Sequence, residues 1–163
     1  MRYGGVIRNS AGGWVKGFSK GFHLTTNNYM EILALKEGLQ LVEESNFTPI
    51  EINVDSLKVI LMLEKENSMY NEGVDDYRSR LRRLGNPRVL YCYRERNRMT
   101  DALVKLGANS DIQQGSMLFE VPPMCARNVV WADIAGTHFA RMIKTSFEHS
   151  QEELQTFVVL NLD

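Results

Sequence analysis

Apolar positions change their period along the chain, and the changes mark its elements. Gly4 to Arg8 and Trp14 to Phe18 are short β-prone runs separated by Asn9-Ser10-Ala11-Gly12-Gly13. Those five residues supply turn chemistry, so the two runs predict a hairpin. From Asn28 to about Ser45 the period becomes helical, with Ile32, Leu35, Leu39 and Val42 falling on one face. Thr26, Asn27 or Asn28 can accept from the free amides of that helix's first turn. Pro49 to Asp55 reads as a strand, and Ser56 is a suitable N-cap for a helix carrying Val59, Ile60 and Leu63. Asn67 to Gly73 is the loop that ends it. A further helix is predicted from about Val74 to Leu84, broken by Gly85-Asn86-Pro87. Val89 to Tyr93 predicts a strand, and Met99, Leu103 and Leu106 line a helix that Gly107 closes.

The order ββ, α, β, α, α, β, α places helices between strands that must cross over. It predicts an α/β domain: a mixed sheet flanked by helices, spanning residues 1–108. Residues 109–163 form a C-terminal extension that is expected to be partly helical, with its final stretch a helix and then a ragged tail. Trp131 and Phe139 stand beside apolar neighbours and are expected to pack rather than to stack on bases. His138 and His149 have no ligand partners at zinc spacing.

Composition narrows the class. At 163 residues and 44% hydrophobic, the chain is long enough for a real core. No apolar run reaches membrane length and no signal pattern opens the chain, so an intracellular protein is expected, in nucleus or cytoplasm alike. Cys92 and Cys125 have no metal-ligand spacing and read as free thiols.

Charge is unevenly placed. The net value is only -1. Residues 1–30 nevertheless carry Arg2, Arg8, Lys16 and Lys20 against no acid, and residues 78–98 carry eight arginines, Arg78 and Arg82 among them, against Glu95 alone. Forked guanidinium donors suit phosphate oxygens and point to nucleic acid. The plainer alternative is a solvated helix face paired with acids such as Glu64 and Glu66.

Three carboxylates stand out against this background. Glu31 is the first acid in the chain, directly after the capping stretch Thr25-Thr26-Asn27-Asn28. Asp55 falls at the carboxyl end of a predicted strand, and Asp101 and Glu31 fall in the first turns of predicted helices. Such positions could converge at one edge of a sheet and hold a metal. Taken singly, each helix-start acid also suits the helix dipole.

The chain resembles the type-I RNase H domains, including their plant retroelement-derived, reverse transcriptase-like branch, over about residues 3 to 108. The carriers are Gly4-Gly5-Val6-Ile7-Arg8-Asn9, Gly13-Trp14-Val15-Lys16-Gly17-Phe18 and Thr25-Thr26-Asn27-Asn28-Tyr29-Met30-Glu31 with Ala34-Leu35 and Gly38-Leu39. Val54-Asp55-Ser56 and Arg94-Glu95-Arg96-Asn97 before Asp101-Ala102-Leu103 complete the set. The resemblance implies hydrolysis of the RNA strand of an RNA/DNA hybrid, with Mg²⁺ or Mn²⁺ held by carboxylates at the scissile phosphate. It assigns Glu31, Asp55 and Asp101 as catalytic and metal-binding. It places Asn27 and Asn28 in a loop that touches the hybrid's minor groove, and Arg94 and Asn97 in the loop before the last acid.

One departure accompanies the match. The family's first strand, which carries its first catalytic Asp, has no counterpart ahead of Met1, so the domain is expected to be N-terminally truncated and hydrolysis impaired. That strand lies centrally in the family's sheet. Its loss is expected to leave the hairpin and the Ile50 to Val54 strand without the partner that joins them, an edge open to another chain. A non-catalytic nucleic-acid-binding module and a strand-edge interaction protein are the alternative readings.

Overall fold

The structure, a computed structural model, describes residues 2–22, 26–65, 71–93, 98–108, 115–135 and 156–162. Asn9 builds the first turn: its side-chain Oδ1 accepts from the amides of Ala11 at 3.1 Å and Gly13 at 2.7 Å. Gly12 follows in the left-handed region at φ 79°. The result is the expected hairpin of β1 (Arg2–Arg8) and β2 (Trp14–Gly21), antiparallel, with a bulge near Arg8.

Thr26 caps α1 (Asn27–Ser45) by accepting from the Tyr29 amide, and Asn46 ends it in the left-handed conformation. β3 (Ile50–Val54) then leads into α2 (Leu57–Glu64), which Ser56 caps through the Val59 amide at 3.3 Å. α3 (Asn71–Arg83) starts earlier than its apolar pattern, at Asn71. The strand expected over Val89 to Tyr93 is reduced to β4 (Val89–Tyr91), an edge strand parallel to β3. α4 (Arg98–Ala108) closes the run of predicted elements.

Among the described residues three more elements follow: β5 (Ser116–Phe119), α5 (Met124–Ile134) and β6 (Thr156–Leu162). The sheet runs β4-β3-β6-β1-β2-β5. β6 therefore corrects two expectations. The last residues are a strand rather than a helix and ragged tail, because Thr156-Phe157-Val158-Val159 is β-branched and aromatic and lies between two ladders. The position between hairpin and β3 is also filled, with β6 parallel to β1 and antiparallel to β3.

The sheet has helices on both faces. Tyr3, Ile7, Phe18, Ile50, Ile52 and Val54 pack with α1, α2 and α3 in the main core. The alternate pleat of β1 points the other way, where Val6 packs with Met99 of α4 and with Ala126 and Val130 of α5. α4 comes very close to this second face. A Cβ on Gly4 would lie 3.1 Å from Val104 Cγ2, and one on Gly17 would lie 2.9 Å from Leu103 Cδ1. Trp131 does not pack: it is 69% exposed on α5, whose inward positions are taken by Ala126 and Val130. Phe139, His138 and His149 lie outside the described residues. Cys92 is buried and Cys125 exposed, and both are thiols rather than disulfide partners.

Candidate functional site

Strand directions bring three ends together. β3 finishes at Val54 opposite Val158, and β6 starts at Thr156 beside Tyr3, so the carboxyl end of β3 meets the amino ends of β1 and β6. Helix α1 begins near this end as well. Tyr3 feels both Tyr29 and Glu37: burial pushes its phenol up, and these two neighbours add to the effect. Lys20, the ladder partner of Tyr3, pairs with Glu37 at 3.0 Å.

Asp55 is the residue after β3 and is half-buried at this end. Glu31 is the fifth residue of α1, not in its first turn, and is buried at 7% exposure. Asp55 Oδ2 and Glu31 Oε2 are both out of reach of water. The helix-dipole reading therefore fails for Glu31, which sits inside the turn where dipole effects fall off and is turned into the protein. Asp101 lies in the first turn of α4, on the opposite face of the sheet from α1. It is half-exposed and held by Lys105 at 2.7 Å, one helical turn on. Its other surroundings are a cleft of about 530 Å³ between α4 and α5, lined by Arg98, Ala102, Lys105, Cys125 and Val129.

The acids are the right donors for Mg²⁺ or Mn²⁺, which take hard oxygen ligands. The arrangement is not yet a metal site: among the described residues, no group of three or more His, Cys, Asp or Glu side chains is placed to hold an ion. Lys105 is a contributor that the acid-centred reading missed, although its i, i+4 spacing from Asp101 is legible in the chain.

Among the described residues of the arginine-rich stretch, Arg78, Arg80, Arg83 and Arg88 are held in structural pairs. Arg80 binds Glu43 and Asp76, and Arg83 binds the other oxygen of Glu43 at 2.8 Å, pinning α3 to α1. Burial alone would raise the Asp76 carboxyl, but hydrogen bonds from Arg80 and Lys36 outweigh it and hold the group below its usual range. The same kind of pairing with Glu43 pushes the Arg83 guanidinium further up. Arg88 pairs with Glu51 at 3.1 Å. Arg78 donates to the carbonyls of Leu63 and Lys65 at the end of α2 and pairs with Asp75. Among the described residues, the acids that pair with these arginines are Glu43, Glu51, Asp75 and Asp76; Glu66 lies outside the described residues. Arg82 is exposed. Asn27 and Asn28 are half-buried in the first turn of α1 rather than in a loop, and Arg94 and Asn97 lie outside the described residues.

No helix among the described residues is long and apolar enough to cross a membrane. No curated protein and no solved structure matches the chain. The model of one family, described as reverse transcriptase-like, matches residues 2–107, which contain β1 to β4, α1 to α3, α4 up to its last residue and all three candidate acids. With a mixed sheet covered by helices and that match over most of its length, the chain belongs to the reverse transcriptase-like family of RNase H-like domains.

Proposed function

We propose that this chain is a nucleic-acid-binding domain of RNase H type whose hydrolytic activity toward the RNA strand of an RNA/DNA hybrid is impaired. The observation that carries the reading is the family match over residues 2–107, which includes Glu31, Asp55 and Asp101 and the elements that bear them. Glu31, Asp55 and Asp101 are the residues assigned to Mg²⁺ or Mn²⁺. Metal bound there would activate water and stabilise a leaving oxygen. The described acids do not group as ligands, and Asp101 is engaged by Lys105.

Binding rests on fewer cations than the sequence offers. Arg80, Arg83 and Arg88 are committed to acids, and Arg78 to the end of α2. Of the described arginines from Arg78 to Arg88, Arg82 is the exposed one left to meet phosphate, with Asn27 and Asn28 at the start of α1 as candidate contacts. The committed Lys105–Asp101 pair favours a second reading, a binding module without catalysis.

The test is cleavage of a labelled RNA/DNA hybrid by the purified chain with and without Mg²⁺, beside Asp55→Asn. Slow Mg²⁺-dependent cleavage that disappears in the variant supports an impaired enzyme. Salt-sensitive binding with no cleavage supports the binding module. Absence of both sinks the nucleic-acid reading.

A further inference from the structure

The centre of the sheet is made by the last strand of the chain. β1 and β2 form one ladder and β3 and β4 another, and all four lie inside the residues that match the family. No ladder runs directly from β1 to β3. β6 stands between them, in register from Tyr3↔Thr156 to Arg8↔Asn161 on one side and from Ile50↔Leu162 to Val54↔Val158 on the other. The gap between the two half-sheets is therefore filled from outside the matched region.

Such a groove specifies its occupant closely. Its two walls offer backbone donors and acceptors running in opposite directions, so one strand must be parallel to β1 and antiparallel to β3. It is roofed on one face by α1 and on the other by α4, which excludes charge from the middle of the insert. Thr156-Phe157-Val158-Val159-Leu160-Asn161-Leu162 meets these demands: it has no charge, no proline and a run of β-prone residues.

The same properties decide what the strand does when it leaves the groove. A short, uncharged segment of high β-propensity pairs with whatever edge it meets. A second copy of the chain, with its own strand out, presents the one edge pair built for it. The tether is long enough: residues 135–155 separate α5 from β6, and twenty-one residues span up to about 70 Å, against roughly 30 Å for a small domain. We infer that the β1/β3 groove is a strand-acceptor site that takes residues 156–162 of a second copy of this chain as well as its own, giving a strand-exchanged dimer. Each copy gives one strand and receives one, so every ladder is preserved. Concentration and the tether set the balance, not new contacts.

The test uses the full chain with Cys125→Ser to remove the exposed thiol. Asn53 and Val159 are opposed on the antiparallel ladder, within disulfide reach. Chains carrying Asn53→Cys and differently tagged chains carrying Val159→Cys are unfolded, mixed, refolded together at high concentration and oxidised. The expected result is a disulfide-linked heterodimer that is missing when Val159→Cys is mixed with Lys58→Cys, whose position lies on α2. No heterodimer, while an Asn53→Cys/Val159→Cys double variant closes within one chain, fixes the strand in its own copy and overturns exchange. No bond in either experiment removes β6 from the groove and overturns it as well. Light scattering on the unsubstituted chain, free of any variant's folding defect, should show the mass doubling from 18.7 kDa as refolding concentration rises. A mass that stays monomeric at every concentration also overturns the proposal.

Discussion

Gly4→Ala is the most direct probe of how α4 is seated. An alanine Cβ at this position would lie 2.8 Å from the Phe18 carbonyl oxygen and 3.1 Å from Val104 Cγ2. The first contact is with backbone in the paired strand, which cannot withdraw without disturbing the Gly5↔Phe18 and Gly4↔Ser19 register. The second is with a side chain that is fully buried. Gly4 is not at positive φ, so the alanine backbone itself is unstrained. Two effects oppose each other. Restricting the unfolded chain would stabilise by about 0.4–1 kcal/mol, whereas overpacking of a closed site costs about 1–3 kcal/mol. Backbone contact at this distance favours the second, for a net loss of roughly 1–2 kcal/mol. With a urea slope of about 2 kcal/mol/M, the midpoint should fall by roughly 0.5–1 M at unchanged slope. Equilibrium urea unfolding followed by far-ultraviolet circular dichroism reads this directly. A midpoint equal to or above that of the parent would refute the close seating of α4 on β1, and with it the placement of Asp101.

Other perturbations follow from the charge pairs. Glu43→Gln removes the carboxylate shared by Arg80 and Arg83 and leaves the mostly buried Arg80 guanidinium undercompensated; a loss of about 1–3 kcal/mol is expected by urea unfolding, and no loss would show that α3 is not pinned this way. Arg78→Ala should cost about 1–2 kcal/mol by stripping hydrogen bonds from the end of α2, whereas Arg82→Ala should stay within about 0.5 kcal/mol and lower the salt slope of nucleic-acid binding by about one. The reverse ranking in stability would invert the roles given to these two arginines. For acid, Asp76 is depressed in the folded state, so its contribution is complete above the ordinary carboxylate value near 4 and is lost as pH falls through the folded one. Asp76→Asn should therefore flatten the acid limb of stability against pH, and an unchanged limb would count against the Arg80 and Lys36 pairing.

Legibility in the sequence follows burial geometry. α1 could be read because it buries one stripe, so Ile32, Leu35, Leu39 and Val42 repeat cleanly. The hairpin and the Ser56 cap were legible because local chemistry at Asn9 and Ser56 forms them, and Thr26 stood among three candidate caps for α1. β6 was not. A strand enclosed between two ladders and two helical layers reads as an unbroken apolar run with no period, and a helix fits the same run. The partners of the charge patch were hidden for a related reason. Arg80 and Arg83 are answered by Glu43, forty residues away or nearly so in sequence, which no local count of charge can detect. The candidate acids were found by position, but their surroundings were not: the burial of Glu31 comes from where α1 crosses the sheet, and Asp101 is tempered by its own helix.

Those surroundings make the acids depend on the groove. Asp101 is placed by α4, which sits on β1 and β2 through Gly4 and Gly17. Asp55 is placed by β3, which belongs to the other half-sheet. Since the halves share no ladder of their own, the offset between Asp55 and Asp101 is set by the strand that pairs with both. A one-residue slip of that strand would turn its faces over, and the smallest slip that keeps them, two residues, would carry Asp55 about 6.6 Å along the sheet. Reacting groups tolerate displacements nearer 1 Å. The register of residues 156–162 is therefore a condition for any joint action of the acids, and whatever segment occupies the groove fixes whether Asp55 and Asp101 can meet one phosphate.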